Sequence, residues 1–310
     1  MELNRIYNED CLDGSERIAP GSVDLILTDL PYGTVSGMLL KGQTKDTYSW
    51  DVTIEPKKIH EIANRILRKN GKMILFSQEP YTTQLITNSN PNVPFSYRAI
   101  WEKDNFANAL GVNKAMVGYY EDILVFSKTE DTEKTHPLRE YFYSEYEKTG
   151  LSYKEINRDF LGTAFEGGGG MAYNMLCRTR LYFSMPTKDA YSKLQKTGFF
   201  DKDYEELRLI DTLYKKRYSS TFNLWEGGKY KSNILRYKKD YDGYHPTQKP
   251  VALLEDLIKT FSNEGDTVVD LTIGSGSTAI AAMDTKRNFV GFELDETYYN
   301  LANKRIAEHK

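Results

Sequence analysis

The sequence predicts an α/β fold, doubly wound about a mostly parallel sheet, and three observations carry that expectation. Short apolar runs that read as buried strands alternate with amphipathic stretches at helical spacing. One of the strands, Thr267-Val268-Val269-Asp270-Leu271, runs into Gly274-Ser275-Gly276 and from there straight into a helix. Between two flanks with this rhythm lies a stretch, 129–239, that is rich in tyrosine and charge and poor in strand character.

Along the chain, Val23-Asp24-Leu25-Ile26-Leu27-Thr28 is a buried strand that stops at Asp29-Leu30-Pro31-Tyr32-Gly33, where proline and glycine break the pattern. Ile59, Ile62, Ala63, Ile66 and Leu67 recur at helical spacing, and Asn70-Gly71 is a good helix stop. Lys72–Phe76 and Ile123–Phe126 are further strands. From about Thr129 tyrosines crowd (Tyr141, Tyr143, Tyr146, Tyr153), Gly167–Gly170 form a glycine run, and 192–214 is helical in pieces. The α/β rhythm returns at about Tyr244. Pro250 can open a helix whose apolar stripe is Val251, Leu254, Leu257, Ile258 and Phe261. Thr278–Asp284 is a helix, Asn288–Glu293 a strand, and the Asp295 side chain can cap the last helix. The simplest organisation is one α/β domain built from 1–128 and 240–310, interrupted by an insertion at 129–239.

The formal net charge of −3 hides an asymmetry, since Met171 to Lys239 holds 15 Lys+Arg against 7 Asp+Glu, or +8, and leaves −11 for the rest. A basic middle in an acidic frame suggests a polyanion-binding module carried by an enzyme core; a solvated helical surface is the plainer alternative. Cys11 and Cys177 are the only cysteines, no export signal occupies Met1 to Pro20, and no long apolar span follows, so a reducing cytoplasm and no membrane are expected. Two cysteines and four scattered histidines give no metal-ligand spacing, and no metal site is expected.

A strand entering Gly274-Ser275-Gly276-Ser277-Thr278 and a helix is an arrangement shared by nucleotide and nucleoside folds. The glycines let the backbone turn tightly, and the helix N-terminus offers free N–H groups. Glu293 follows Gly274 by 19 residues, at the end of the next strand, where its carboxylate can accept from both ribose hydroxyls. The third glycine of a dinucleotide fingerprint would fall at Ala279, an allowed variant, so the glycines alone leave NAD open, as they leave open a turn that merely packs tightly.

Joined to Asp29-Leu30-Pro31-Tyr32 and to His245-Pro246-Thr247-Gln248-Lys249-Pro250, this pattern resembles the amino-group DNA methyltransferases of phage and restriction-modification type. The catalytic motif precedes the cofactor glycines, as in the β-type arrangement of that family. The resemblance covers the two flanks and includes Leu75–Pro80, Trp101-Glu102-Lys103 and Tyr48-Ser49-Trp50-Asp51. It implies a seven-stranded Rossmann-like methyltransferase sheet with S-adenosylmethionine as cofactor. Gly274, Ser275 and Gly276 would line the methionine half, Asp270 would orient their loop, and Glu293 would hold the ribose. Thr247, Gln248 and Lys249 would lie near the methionine carboxylate, with the Lys249 ammonium paired to it. Asp10, in Asn8-Glu9-Asp10-Cys11-Leu12, would meet the adenine amino group. The chain departs from the family at Thr272, where members carry an aromatic residue, and at Leu30, where they carry proline.

An exocyclic amine is a poor nucleophile because its lone pair is delocalised into the base. Two acceptors aimed at its N–H groups make it more tetrahedral: here the Asp29 carboxylate and the Leu30 carbonyl. Tyr32 would stack on the extruded base, and Pro31 completes the turn. Thr34–Tyr48 is expected to close over the substrate. The inserted, mainly helical region has the position of the family's target reader. Arg178, Arg180, Lys188, Lys193, Lys215, Lys216 and Arg217 would meet phosphates, and Lys229, Lys231, Arg236, Lys238 and Lys239 extend the stripe.

Base methylation at carbon uses a cysteine that follows proline, whereas Cys11 follows Asp10 and Cys177 follows Leu176. The reading is thus a site-specific DNA methyltransferase acting on N6 of adenine in double-stranded DNA, in a bacterial or phage-infected cell. An N4-cytosine enzyme, an RNA amino-methyltransferase, a dehydrogenase and a catalytically silent nucleic-acid-binding homologue are the alternatives. The resemblance leaves a homodimer open and requires no cognate restriction nuclease.

Overall fold

A computed structural model describes residues 1–33, 53–107, 113, 116–130, 136–162, 170–179, 183–240 and 248–309. In chain order the strands are β1 (Arg5–Tyr7), β2 (Val23–Asp29), β3 (Leu67–Ser77), β4 (Phe95–Ala107), β5 (Gly118–Ser127), β6 (Ile234–Arg236), β7 (Thr267–Asp270) and β8 (Asn288–Phe292). The helices are α1 (Cys11–Gly14), α2 (Pro56–Ile66), α3 (Tyr81–Thr87), α4 (Arg139–Thr149), α5 (Tyr153–Glu155), α6 (Gly170–Leu176), α7 (Lys188–Gln195), α8 (Tyr204–Arg217), α9 (Val251–Phe261), α10 (Ser277–Asp284) and α11 (Glu296–Glu308). Among the described residues no helix is long and apolar enough to cross a membrane.

All eight strands form one mixed sheet in the order β1-β8-β7-β2-β3-β5-β4-β6, and every pairing is parallel except those of β5 with β3 and with β4. The expected count was seven. The eighth strand, β6, is three residues long and pairs Ile234–Arg236 with Ile100–Glu102, too short to show a period in a lysine-rich stretch. Strand residues divide by parity, as a sheet covered on both faces requires. Leu25, Leu27, Ile74, Phe76, Ile123 and Val125 pack with α9 and α10, whereas Ile26, Met73, Leu75, Leu124 and Phe126 pack with α2 and Tyr81 of α3.

The helix stop foreseen at Asn70-Gly71 is instead a kink inside β3. Helix α2 begins with Pro56 in its first turn, buries Ile59, Ile62, Ala63 and Ile66, and ends there. The next residues join the sheet because Arg68 enters a buried ion pair with Asp24 of β2, Nε to Oδ1 at 2.6 Å. Asn70 then takes φ +63°, and the register against β2 shifts by a bulge. A side chain at position 71 would stand 2.9 Å from the Arg68 carbonyl, so glycine serves close approach here.

Contacts divide the chain into two compact units, residues 1–132 with 220–310, and 133–219. The second holds α4 to α8 around its own core of Leu138, Phe142, Ile156, Met175, Leu194, Phe200 and Leu207. It thus ends before the expected 239. Residues 220–240 belong with the sheet: β6 joins its edge, and Trp225, Lys231 and Tyr237 all converge on the buried Asp256 of α9. The unit itself carries 15 Lys+Arg against 13 Asp+Glu, so the basic excess of 171–239 is largely balanced by acidic residues of 133–170 and by the reassignment of 220–239.

Candidate active site

Parallel pairing of β2 with β7 brings the ends of two motifs, far apart in sequence, side by side at the carboxyl edge of the sheet. The Thr272 hydroxyl joins them. It donates to the Asp29 carbonyl at 2.9 Å and lies 2.9 Å from the Thr28 hydroxyl, while the Thr272 N–H donates to Asp270 Oδ1 at 3.0 Å. The residue that breaks the family's aromatic pattern is therefore the tie between the Asp-Leu-Pro-Tyr turn and the glycine loop.

At the turn, Tyr32 donates its hydroxyl to Asp29 Oδ1 at 2.5 Å, and Asp29 Oδ2 is ion-paired with the Lys249 ammonium. Lys249 is buried, lies 3.2 Å from Glu121 Oε2, and has the Phe76 and Tyr32 rings beside it at 5.2 and 5.8 Å. Glu121 in turn is ion-paired with Lys103, which packs over the Trp101 ring. Burial pushes the Asp29 carboxyl above the ordinary range, opposed by Lys249 and reinforced by Glu121. Burial would also raise Glu121, but Lys249 and Lys103 outweigh it and hold that carboxyl low. The Leu30 side chain is buried in the core, which anchors the turn and leaves its backbone as the part able to serve chemistry.

At the other motif, Gly274 takes φ +54° and Gly276 φ +82°. A Cβ at Gly276 would meet Ala302 at 3.2 Å, so that glycine permits α11 to pack; at Gly274 it would meet nothing within 4 Å, which leaves open space beside the loop. Glu293 accepts the Gly274 N–H at 2.8 Å on one oxygen and the Asp295 N–H at 2.9 Å on the other, so it braces the loop while each oxygen keeps a second acceptor site. Ser275 is buried, its carbonyl 3.3 Å from the Arg305 guanidinium. Asp10 caps α1 through the Leu12 N–H at 2.8 Å. Open space at a positive-φ glycine, a carboxylate at the next strand end and the N-terminus of α10 just after the loop form a set of groups that fits a nucleoside-bearing cofactor.

Asp270 is buried, and burial pushes its carboxyl up to about 6 against the hydrogen bonds it receives. A carboxyl raised on folding contributes stability below its unfolded value and loses it as pH rises through about 6. At pH 7.5 its ionised form therefore opposes folding. Asp270→Asn, which keeps an oxygen for the Thr272 N–H, is expected to stabilise the cofactor-free protein by about 1–3 kcal/mol at pH 7.5. Urea unfolding should show that gain shrinking toward pH 4; a loss of stability at pH 7.5 would contradict it.

Of the expected site residues, Asp29, Leu30, Pro31, Tyr32, Asp270, Gly274, Ser275, Gly276 and Glu293 lie along the edge formed by the ends of β2, β7 and β8. Lys249 joins them there, against Asp29. Gln248 immediately precedes it and is half-buried, whereas Thr247, the loop 34–48 and Arg180 lie outside the described residues. Among the expected phosphate contacts, Arg178, Lys188, Lys193 and Lys215 each pair with a carboxylate of their own unit: Glu140, Glu205, Asp189 and Asp211. Lys216 and Arg217 are exposed at the end of α8. Lys188, Lys215 and Lys216 line one open groove between α7 and α8 together with Arg208, which the sequence reading passed over because it stands alone among acidic residues. Lys231 is no surface cation; it is held by Asp256. Glu121 and Thr272 were also missed as site residues. The signal for Glu121 was present, a carboxylate at the start of the apolar run Ile123–Phe126.

An α/β sheet with a glycine loop at one strand end and a carboxylate turn at its neighbour places ligand and chemistry at one crevice beyond the carboxyl ends of the strands, as in nucleotide- and nucleoside-binding folds. The chain belongs to the DNA methylase family of the N6/N4 type, whose match spans residues 23–304. It is a DNA amino-methyltransferase of the N6-adenine/N4-cytosine family, and that family uses S-adenosylmethionine. It is similar over 99% of its length to the type II methyltransferase M.HindIII of Haemophilus influenzae, at 22% identity and 96% of that protein, and to the DNA adenine methyltransferase YhdJ of Escherichia coli K12, at 25% identity and 85%. A shorter stretch of 75 residues is 39% identical to Escherichia coli YubD and spans only 33% of that protein. The fold matches that of M1.HpyAVI in complex with its cofactor, at TM-score 0.52 and 18% identity over 97% of this chain and 98% of that one. It also matches the cytosine-N4-specific PvuII methyltransferase, at TM-score 0.53 and 14% identity over 98% and 86%.

Proposed function

We propose that the protein methylates the exocyclic N6 of adenine in double-stranded DNA, on a base swung out of the helix. The observation that carries this is the carboxylate of Asp29, a residue whose backbone carbonyl Thr272 ties to the glycine loop at the adjacent strand end. S-adenosylmethionine supplies an electrophilic methyl group on a sulfonium; the chain supplies everything that makes the amine attack it. Asp29 accepts one N–H of the base amine and the Leu30 carbonyl the other, which restores lone-pair density to nitrogen. Tyr32, released from Asp29, stacks on the base, and Pro31 holds the turn. Gly274, Ser275 and Gly276 accommodate the methionine half of the donor, with Asp270 setting their loop, Glu293 on the ribose, Asp10 toward the adenine and Thr247 and Gln248 toward the carboxylate. The groove of Lys188, Arg208, Lys215 and Lys216, with Arg178, Arg180, Lys193 and Arg217, meets phosphates. The work belongs in the cytoplasm of a bacterial or phage-infected cell and needs no nuclease partner.

Aspartate at position 29 favours adenine, since it resembles the adenine-specific members, and the similarity to YhdJ agrees with that choice. N4 of cytosine is the second reading, because the PvuII enzyme shares the fold and the amine chemistry is the same. Methyl transfer from radiolabelled S-adenosylmethionine to unmethylated duplex DNA and, in parallel, to RNA, followed by nucleoside analysis, decides: N6-methyladenine in the DNA is expected, N4-methylcytosine would overturn the base, and label in RNA alone would overturn the substrate.

A further inference from the structure

The resemblance gives Lys249 to the cofactor; in the structure its ammonium is paired with Asp29 and Glu121. Four side chains alternate in sign across the carboxyl edge of the sheet: Lys103 on β4, Glu121 on β5, Lys249 before α9 and Asp29 on β2. Antiparallel register places Trp101 opposite Glu121, so Lys103, two residues on, is the diagonal neighbour of Glu121 on the same face. The side chains of Lys103, Glu121 and Lys249 are 3, 9 and 5% exposed, and only Asp29, at 26%, opens toward solvent. Buried charges are costly unless they are paired, and a row of this kind spends that cost on fixing one geometry. Its open end is the acceptor for the base amine.

We propose that Glu121 and Lys103 are positioning residues for methyl transfer, seating the Lys249 ammonium on Asp29 so that Asp29 stays ionised and turned toward the incoming amine. This rests on the role given to Asp29 above. Lys249 fixes Oδ2 and leaves Oδ1 to Tyr32 in the free enzyme and to the base amine in the complex. Glu121, 3.2 Å from the ammonium, braces Lys249 from a second side while Lys249 stays paired with Asp29. Lys103, cushioned on Trp101, keeps Glu121 charged within the interior. The ionisable groups that face Asp29 are Tyr32 on its own turn, Lys249, Glu121 on β5 and Asp270 at the end of β7; Lys103, with Lys239 near it, faces Glu121 and Lys249.

The two carboxylate neighbours of Lys249 give the test opposite signs. Asp29 must be ionised to accept the amine, so the acid limb of kcat/KM for DNA follows its titration in the free enzyme. Lys249→Gln removes the opposite charge and should move that limb to higher pH by about one unit. Glu121→Gln removes a like charge and should move it to lower pH, while the plateau falls roughly tenfold because Lys249, still paired with Asp29, has lost the brace that orients the pair. Lys249→Arg should return the limb most of the way. The dissociation constant for S-adenosylmethionine, by calorimetry on the full chain, should change less than about threefold in each. If Lys249→Gln fails to fold, the downward shift in Glu121→Gln alone carries the test. Limbs that stay put or move the same way would overturn the proposal, as would a loss expressed entirely in cofactor affinity. Asp29→Ala, measured alongside, separates the two levels: an active Asp29→Ala refutes the role of Asp29 itself, whereas an inactive one with unmoved limbs refutes only the positioning row.

Discussion

Asp29→Ala is expected to lower single-turnover methyl transfer by about 10²–10⁴-fold while leaving the fold and cofactor binding in place. The size follows from what the carboxylate does. An anionic acceptor held against a developing positive nitrogen is pre-oriented in a way that solvent is not, and the remaining acceptor, the Leu30 carbonyl, carries no charge. The fold survives for a structural reason: Lys249 retains Glu121 at 3.2 Å, so removing Asp29 does not strand a buried ammonium. The tie to the glycine loop survives too, because Thr272 donates to the backbone carbonyl of residue 29. Asp29→Asn should fall between wild type and alanine, since the amide offers an oxygen but no charge. Transfer by Asp29→Ala within tenfold of wild type would return Asp29–Tyr32 to an ordinary turn, the use these residue types also have.

How far the sequence could be read depended on the length over which each signal is written. Strands β2, β7 and β8 and helix α9 are legible because four to eleven residues keep one pattern, and Gly274-Ser275-Gly276 is legible because positive φ restricts residue choice. Strand β6 is not, because three residues have no period and their pairing with β4 crosses 134 positions of chain. The Asn70-Gly71 misreading has a related cause. The local rule for a helix stop competes with Arg68 seeking Asp24, a contact 44 residues away that no window contains. At the site, each motif was visible, but their joint was not: Thr272 looked like a missing aromatic, and Glu121 like the polar edge of a strand. Both act through partners brought by the sheet order. The insertion's end was placed late because lysines at 229, 231 and 239 look alike in sequence, although Lys231 is spent on Asp256 within the sheet unit.

The largest loss of stability is expected from breaking the Asp24–Arg68 pair. Both side chains are 2% exposed, and Asp24 is the hub of three strands: Oδ1 accepts Arg68 Nε of β3 at 2.6 Å, and Oδ2 accepts the Thr267 N–H of β7 at 2.9 Å. Asp24→Ala takes its carboxylate partner from a buried guanidinium and its acceptor from a buried N–H, a combination that costs about 3–5 kcal/mol. Arg68 keeps the Lys69 carbonyl at 2.8 Å and the Thr221 hydroxyl at 3.4 Å, two uncharged acceptors that hold its position. The double variant Asp24→Leu with Arg68→Met is expected to be more stable than Asp24→Ala, because the desolvation cost disappears with both charges; what remains is the orphaned Thr267 N–H and any misfit of the new side chains. Urea unfolding monitored by the far-ultraviolet signal of the sheet unit separates these cases. A double variant as unstable as the single one would mean that the pair is irreplaceable as geometry. In that event the bulge at Asn70-Gly71, and with it the register that sets Asp29 opposite Phe76, would depend on the ions themselves and not merely on a filled interior.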